Sequence, residues 1–442
     1  MDAIVCVPPL LLQAIFADLT QLARQTHFVQ RLRALKPDAF AHTLCLYLIR
    51  YPHATLEQLA DQLHITASAL AQRFTDNAAK FLRILLQRTL DTLATAIPTR
   101  CVIPLLRRFN GVYLVDGTVT ALPATLAQRF PGYGGGAGTD DPTTAAAVKI
   151  LLRLRIDTTQ ATELLLAAAT TPDIHLLQQL PELPEGALHI GDLGFFDCDY
   201  FAALTRKGIY WLTRLPARIK VREELGDWQE LADWLQELAR LGFSQWQGTQ
   251  EVGKTTPVVA RVMVLRCPPE ESARRRQKLH DRLRRKGQTA GQRQLTLCDW
   301  WVLATNVAEP KLPAKAAWEL YRLRWQIELV FKRWKSLGGL SINAEHDPIR
   351  AECELYGKLV GVLLIDWLAL QRGGALSGVS LWRGWQIVEE LLPEILRAFS
   401  GRRDWDEVLS ELDNRLTRRP KQAKRKRRPS TRQRLFRVTL TN

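Results

Sequence analysis

The sequence predicts an α/β protein built on a mixed sheet flanked by helices. An all-α N-terminal domain, a β-rich insertion and a helical, basic C-terminus complete the predicted architecture. Residues 1–105 carry Leu and Ala at helical spacing and few β-branched runs. From residue 111 three strand-like segments come first, and helices and strands alternate after them. With 442 residues and 46% hydrophobic content, the chain is long enough for two or three domains with buried cores.

The N-terminal domain contains a candidate helix-turn-helix, "LEQLADQLHITASALAQRF" at residues 56–74. The spacing buries Leu59, Ala60 and Leu63 on the first helix and Leu70 and Phe74 on the second. Thr66 is the predicted N-cap between the two helices. The second helix then presents its predicted DNA contacts, Ser68, Gln72 and Arg73. A plain helical hairpin fits the same pattern nearly as well.

The predicted catalytic core comes in two parts, residues 106–216 and 294–345. The strand candidates are "GVYLVDG" (111–117), "AVKILLRLRID" (147–157), "TELLLAAAT" (162–170), "ALHIGD" (187–192), "IYWLTRL" (209–215) and "LTLCDWWVLATN" (295–306). In the second of these, Leu152, Leu154 and Ile156 alternate with charged residues. That alternation predicts a solvated side chain for Lys149.

The segments outside the core differ from it in composition. Residues 217–293 predict an insertion in which a Trp- and Leu-rich helix, "WQELADWLQELAR", precedes two antiparallel strands. Residues 346–414 predict a C-terminal helical region. Residues 415–442 predict a basic tail that is disordered without DNA, because the segment is too charged to fold alone.

Positive charge is concentrated in two segments of the chain, whose formal net charge is +16. Residues 415–442 hold twelve Lys or Arg and no acid, and residues 273–293 hold nine Lys or Arg against Asp281 alone. This placement indicates a polyanionic partner, since neither segment has the apolar face of an interfacial helix. The predicted backbone clamps are Arg274, Arg275, Arg276, Arg284 and Arg285, although a merely solvated helix explains them too.

Cysteine spacing and the N-terminus indicate a cytoplasmic protein. The seven cysteines form no C-x-x-C pair, which favours reduced structural thiols over a zinc site or a disulfide framework. The first residues lack the basic region of a signal peptide. No apolar run is long enough for a membrane span.

Three acids stand out as candidate catalytic residues. Asp116 and Asp192 end predicted buried strands, where a carboxylate is costly unless it caps a turn or binds a cation. The third acid lies in "YRLRWQIELVFKRWKS" (321–336). If this segment is a single helix, Glu328 lies on a polar stripe roughly 60° wide, beside an apolar stripe. The same polar stripe contains Tyr321, Arg324 and Lys335. The alternative is an exposed face with a Glu328–Lys332 salt bridge. Carboxylates are the ligands that Mg²⁺ prefers, and two such ions support phosphodiester chemistry.

These residues resemble the DDE transposases of bacterial insertion sequences, in the group with a Tyr-x2-Arg-x3-Glu-x6-Lys signature. Tyr321, Arg324, Glu328 and Lys335 match that signature at every position, and Asp116 in "DGT" fits the first acidic block. The second block departs from the common Asp-Arg-Gly-Tyr, because Asp192 is followed by Leu-Gly-Phe. The resemblance covers roughly residues 110–340.

The resemblance implies an RNase H-like core in which Asp116, Asp192 and Glu328 hold two Mg²⁺ ions, with Mn²⁺ as a substitute. It implies that Tyr321, Arg324 and Lys335 grip phosphates of the transposon end, and Lys332 is counted with these DNA contacts. In relatives that cut through a hairpin, an aromatic residue of the insertion receives a flipped base, and Trp246 is the candidate here.

The implied partner is double-stranded DNA, both terminal inverted repeats and target, bound by a homodimer at the bacterial nucleoid without any membrane. The implied activity is cut-and-paste transposition by metal-dependent strand cleavage and strand transfer. Two alternatives stay open: a catalytically inactive DNA-binding descendant of a transposase, and a nuclease with the same core.

Overall fold

The computed structural model describes residues 8–31, 35–95, 103–133, 145–223, 226–285, 287–340, 342, 347–371, 380–418, 429 and 431–440. The chain divides into two compact units. Unit 1 comprises Met1–Val102, Asp116–Pro172 and Trp325–Arg432. Unit 2 comprises Ile103–Val115, Asp173–Arg324 and Gln433–Asn442.

Helices and strands are numbered in chain order. The helices are α1 Pro8–Ile15, α2 Leu19–Gln25, α3 Pro37–His42, α4 Leu48–Arg50, α5 Leu56–Gln62, α6 Ala67–Ala71, α7 Asp76–Thr95, α8 Asp173–Leu177, α9 Cys198–Arg206, α10 Leu231–Arg240, α11 Pro269–Arg284, α12 Gln292–Cys298, α13 Ala314–Tyr321, α14 Trp325–Ser336, α15 Pro348–Ala369, α16 Leu381–Phe399, α17 Trp405–Arg418 and α18 Thr431–Leu440. The strands are β1 Val112–Ala121, β2 Ala147–Arg155, β3 Gln160–Ala168, β4 Leu188–Ile190, β5 Tyr210–Arg214, β6 Lys220–Arg222, β7 Gln229–Glu230, β8 Gln245–Val252, β9 Val258–Arg266 and β10 Trp300–Thr305.

Unit 2 contains the mixed sheet that the sequence predicts. Its strand order is β1-β4-β5-β10-β9-β8-β6-β7. β1, β4 and β5 are parallel, whereas β10 is antiparallel to both β5 and β9. The strands of the insertion therefore extend the core sheet through β10 instead of forming a sheet of their own.

The core of unit 2 lies on one face of this sheet and is rich in tryptophan. Trp211, Trp234 and Trp300 are each at most 7% exposed and belong to one apolar cluster with α10. Helix α10 repeats its apolar residues at helical spacing, so one face is buried and the other is polar. Burial of side chains of this size stabilises a fold by about 1.5–3 kcal/mol each, which fixes the insertion onto the sheet.

In unit 1, strand β2 pairs antiparallel with β3 and helices pack around a central one, α15. Helix α15 is buried on nearly every side, and Gly357 and Gly361 lie one turn apart along it. A Cβ at Gly361 would lie 1.9 Å from the carbonyl oxygen of Cys45, in the π-helical segment between α3 and α4. Only glycine allows this close crossing of the two helices.

Two predictions about charged segments are corrected by the structure. Lys149 is 7% exposed, and its Nζ donates to the carbonyl of Thr171 at 2.5 Å. The prediction of a solvated Lys149 was wrong, because β2 is buried on both faces up to Leu154. In the predicted disordered tail, Thr431–Leu440 form α18, whereas residues 419–428, 430, 441 and 442 lie outside the described residues.

Candidate active site

Asp116 lies within β1, and Asp192 comes two residues after the end of β4. In unit 2, Leu114 on β1 is the partner of Ile190 on β4. Asp116 comes two residues after Leu114, and Asp192 comes two residues after Ile190 with its backbone still extended. Because side chains two residues apart on a strand point to the same face, Asp116 has the orientation of Leu114 on β1, and Asp192 has that of Ile190 on β4.

Each of the two acids accepts a hydrogen bond from a nearby backbone N–H. The Asp116 carboxylate accepts the N–H of Gly117 at 2.8 Å, and that of Asp192 accepts the N–H of Gly194 at 2.7 Å. Asp192 thus caps the 3₁₀ turn Leu193–Phe195, as considered from the sequence, whereas Asp116 lies inside β1 and begins no turn. A carboxylate has about four acceptor sites, so one cap leaves capacity for a metal ion. Gly194 is needed here, since its Cβ would lie 3.0 Å from Asp173 Oδ2 and 3.1 Å from Asp192 Oδ1.

The signature segment is not one helix, as the sequence predicted, but two helices with a break between them. Tyr321 is the last residue of α13, residues Arg322–Arg324 form a 3₁₀ turn, and α14 begins at Trp325. A 3₁₀ turn advances about 120° per residue, so a single helical wheel does not relate Tyr321 and Arg324 to Glu328. Glu328 lies in the first turn of α14, at the positive end of its dipole.

The predicted apolar stripe of this segment is confirmed. All five of its members are at most 6% exposed: Leu323, Ile327, Val330, Phe331 and Trp334. The sequence did not reveal that Arg333 would be buried as well. In unit 1, Arg333 Nε and Trp334 Nε1 donate to the two carboxylate oxygens of Asp366 on α15, at 3.1 and 2.6 Å. This pair of contacts fixes α14 on α15.

Lys335 is exposed, and its amine donates to the carbonyl of Val119 on β1 at 2.7 Å. Partial desolvation lowers the pKa of Lys335 from its usual value. Within unit 1, the C-terminal turn of α14 is thus tied to the strand that carries Asp116. Lys332, one turn away on the same helix, is exposed.

Arg214 is a residue that the sequence analysis missed. It ends β5, so a search for polar residues at strand ends would have found it. Desolvation lowers the pKa of Arg214 from its usual value. The charges of Arg275 and Arg324 lower this pKa further, whereas Tyr321 and Asp192 raise it. All five side chains are in unit 2, so Arg214 has both Asp192 and the first half of the signature as electrostatic neighbours.

Trp246 points into the apolar core of the insertion. Its ring meets that of Trp234 edge to face, with centroids 4.9 Å apart, and it covers Gly248. Trp246 on β8 lies opposite Val264 on β9, and Val264 lies opposite Val302 on β10. Both valines belong to the buried cluster, so Trp246 is on the buried face of the sheet.

The opposite face of the sheet carries the row that contains Arg214. Leu303 on β10 pairs with both Arg214 and Met263, and Met263 pairs with Gln247 on β8. Trp301, two residues before Leu303, has the same phase and is partly exposed. Of these tryptophans, Trp301 is therefore the one on the face of Arg214.

The predicted basic clamp is helix α11. Arg275 lies inward, where it donates to the carbonyls of Trp300 and Leu297 at 2.8 Å each. The other four arginines are exposed, and three of them have an acidic neighbour: Arg274 with Glu271, Arg276 with Asp299 and Arg284 with Asp281, while Arg285 follows the helix end. The polycationic surface of α11 is thus partly neutralised within unit 2.

The predicted helix-turn-helix has the expected caps and core. Thr66 caps α6 by accepting the N–H of Ala69 at 3.2 Å, and His64 in the turn has a φ of 55°. The five predicted inward residues are all at most 8% exposed. Ser68 and Gln72 are exposed and Arg73 is half-buried. Helix α6 has only five residues, which is short for a recognition helix.

Hard oxygen donors are the kind of ligand that Mg²⁺ takes, and Asp116, Asp192 and Glu328 supply them. Within the described part of the chain, no three His, Cys, Asp or Glu side chains form a group able to hold a metal ion. The donor chemistry of the three acids fits a divalent ion. Among the described helices, none is sufficiently long and apolar to cross a membrane.

Carboxylates such as Asp116, Asp192 and Glu328 suit the class of enzymes that use divalent metal ions. Comparison with known proteins is consistent with that class. The chain belongs to the transposase DDE domain family, whose model matches residues 107–364. Membership indicates a polynucleotidyl transferase-type enzyme, and divalent metal is generally used in this family.

Relatives extend the similarity to most of the chain. The transposase for insertion sequence element IS231F of Bacillus thuringiensis subsp. israelensis is 27% identical over 373 residues, covering 78% of this chain and 76% of the relative. The transposase for IS1151 of Clostridium perfringens is 23% identical with the same coverage. A putative transposase, InsL for IS186A of Escherichia coli K12, is 29% identical and covers 70% of this chain and 77% of the relative.

Proposed function

We propose that this protein is the transposase of a bacterial insertion sequence, acting on DNA in the cytoplasm. It would bind the terminal inverted repeats, cleave the strands at the element's ends and join the 3′-hydroxyls to target DNA. The observation that carries the proposal is the position of the two aspartates along parallel strands. Leu114 on β1 pairs with Ile190 on β4, and Asp116 and Asp192 each come two residues after their member of that pair. Family membership and the named activity of the relatives support it.

The metal ligands in this proposal are Asp116, Asp192 and Glu328, holding two Mg²⁺ ions for which Mn²⁺ can substitute. When bound, the ions would lower the pKa of an attacking water or 3′-hydroxyl and neutralise charge on the leaving oxygen. The protein's own task is to hold three acids at one edge of the sheet and to present the phosphodiester in line with the nucleophile.

Spacing within unit 1 supports a common site for Glu328 and Asp116. Lys335 on α14 is anchored to Val119 on β1. Glu328 precedes Lys335 by seven residues, which is about 10 Å of helix. Asp116 precedes Val119 by three residues, which is also about 10 Å of strand. The two acids are thus about equally far from one anchor, which allows them to reach a common site.

The cations around Asp192 have a role as phosphate ligands. Arg214, Arg324 and Tyr321 are electrostatic neighbours in unit 2, and a cationic guanidinium binds phosphate through two parallel hydrogen bonds. We include Arg214 with Tyr321, Arg324, Lys332 and Lys335 among the DNA contacts. The exposed arginines of α11 and the outer residues of α6 would supply weaker contacts with the DNA backbone.

For the aromatic contact with DNA, we favour Trp301 over Trp246. Trp301 shares the sheet face of Arg214 and is partly exposed, whereas Trp246 packs on Trp234 in the core of the insertion. A Trp301→Ala variant would then lower cleavage with little loss of stability. The Trp246→Ala variant would chiefly destabilise the insertion, which thermal unfolding detects.

The test is strand transfer on DNA carrying the element's own inverted repeats, with Mg²⁺ or Mn²⁺. Asp116→Asn, Asp192→Asn and Glu328→Gln should each abolish cleavage while leaving DNA binding, and Asp199→Asn on nearby α9 should leave both intact. Full cleavage by any of the three variants would contradict the site assignment. Mn²⁺ binding, followed by electron paramagnetic resonance with DNA present, supplies a readout that does not depend on activity.

Product analysis separates this function from its alternatives. Joined strands identify a transposase, cut ends alone identify a nuclease, and binding without turnover identifies an inactive descendant. A homodimer that pairs two DNA ends is part of the proposal. Sedimentation with one and with two end fragments would test it.

A further inference from the structure

The C-terminal helix α18 contacts the helix that carries the first signature residue. In unit 2, Arg434 Nη1 lies 3.8 Å from Glu319 Oε1 on α13. Next to it, Leu435 is completely buried. A basic segment at the chain terminus would ordinarily be solvated. A buried leucine and a specific ion pair instead indicate a docked helix.

Glu319 is shared between two arginines at a sensitive point of the chain. Its other carboxylate oxygen lies 3.9 Å from Arg322 Nε. Arg322 begins the 3₁₀ turn that follows Tyr321 and ends at Arg324. The side chain of Glu319 is only 21% exposed and that of Arg434 only 25% exposed. Solvent therefore screens the Arg434–Glu319 ion pair less than it screens a surface pair.

We propose that α18 positions the α13 end of the active site, with Arg434 as the positioning residue. This inference rests on the proposed function. Arg434 and Arg322 each lie next to a different carboxylate oxygen of Glu319, which holds the turn in place. Tyr321, just before the turn, and Arg324, its last residue, are proposed to contact phosphate. Docking of α18 would order these side chains before DNA arrives, so that binding pays less conformational entropy.

A charge exchange across this ion pair tests the proposal in the full-length chain. Arg434→Glu and Glu319→Arg should each slow cleavage at saturating DNA on the order of tenfold, because misplaced binding groups mainly cost the chemical step. The double variant restores the pair with its charges reversed and should recover most of the rate. Arg402→Glu, at an exposed position after α16 and outside both basic segments, changes net charge equally and should leave the rate nearly unchanged.

Hydrogen exchange supplies a readout that is independent of catalysis. Amides of residues 314–324 should exchange faster in Arg434→Glu and regain protection in the double variant. Unchanged exchange in the single variant, an unrecovered double variant, or an equal loss in Arg402→Glu would each overturn the proposal. If the wild-type protein cleaves no DNA but the amides lose and regain protection in the single and double variants as expected, the proposed function is wrong and the docking of α18 is supported.

Discussion

Removal of the Asp366 carboxylate is expected to destabilise unit 1 severely. Asp366 accepts hydrogen bonds from Arg333 and Trp334, and the ionic side chains of Arg333 and Asp366 are only 7% and 14% exposed. In Asp366→Ala, the guanidinium stays buried without its counter-charge, which costs about 3–5 kcal/mol. The indole N–H also loses its acceptor, although the two losses overlap and do not add.

Urea unfolding followed by circular dichroism measures this loss, with the free energy taken for the first transition because the chain has two units. The double variant Asp366→Ala/Arg333→Met should recover a substantial part, since it removes the uncompensated cation. Equal destabilisation of the single and double variants would refute the reasoning, as would a loss below about 1 kcal/mol for Asp366→Ala. Asp366→Asn should fall between the wild type and Asp366→Ala.

Further predictions concern packing, pH and salt. Gly361→Ala should cost at least about 3 kcal/mol in urea unfolding, because its Cβ would overlap the Cys45 carbonyl, while Gly384→Ala, whose Cβ has ordinary contacts, should be nearly neutral. Burial lowers the pKa of Lys358 to about 8 from 10.5, so the unfolded chain holds this proton more tightly. Stability should therefore rise by about 3 kcal/mol at most between pH 8 and 10.5, and Lys358→Met should remove that rise. DNA affinity should fall steeply with salt, and a filter-binding series on a chain lacking residues 415–442 should show a shallower slope; an unchanged slope would exclude the basic segment as a DNA contact.

Features set by local spacing could be predicted from the sequence. The buried stripe of α14 was predicted from its periodicity, because apolar side chains repeated every three or four residues must share a face. The position of Asp192 after a strand followed from a short apolar run that ends in an acid, whereas Asp116, predicted to end its strand in the same way, lies inside β1, which continues to Ala121. Thr66 was recognised as a cap because its hydroxyl bonds within its own turn.

Features set by distant neighbours could not be predicted in this way. The break at Arg322–Arg324 has neither glycine nor proline to announce it. Lys149 alternates as a solvated residue would, yet tertiary packing covers both faces of its strand. The choice between Trp246 and Trp301 depends on the register of four strands, and no single segment contains that information.

The pairing of β9 with β10 limits how this protein can be shortened. Cutting out residues 217–293 would expose the β10 edge, whose N–H and C=O groups from Trp300 to Thr305 are now bonded to β9. A bare, apolar edge of that length is a template for intermolecular strand addition and aggregation. A shortened variant of the protein should therefore retain β9, or carry charged residues along the β10 edge, whichever other segments are deleted.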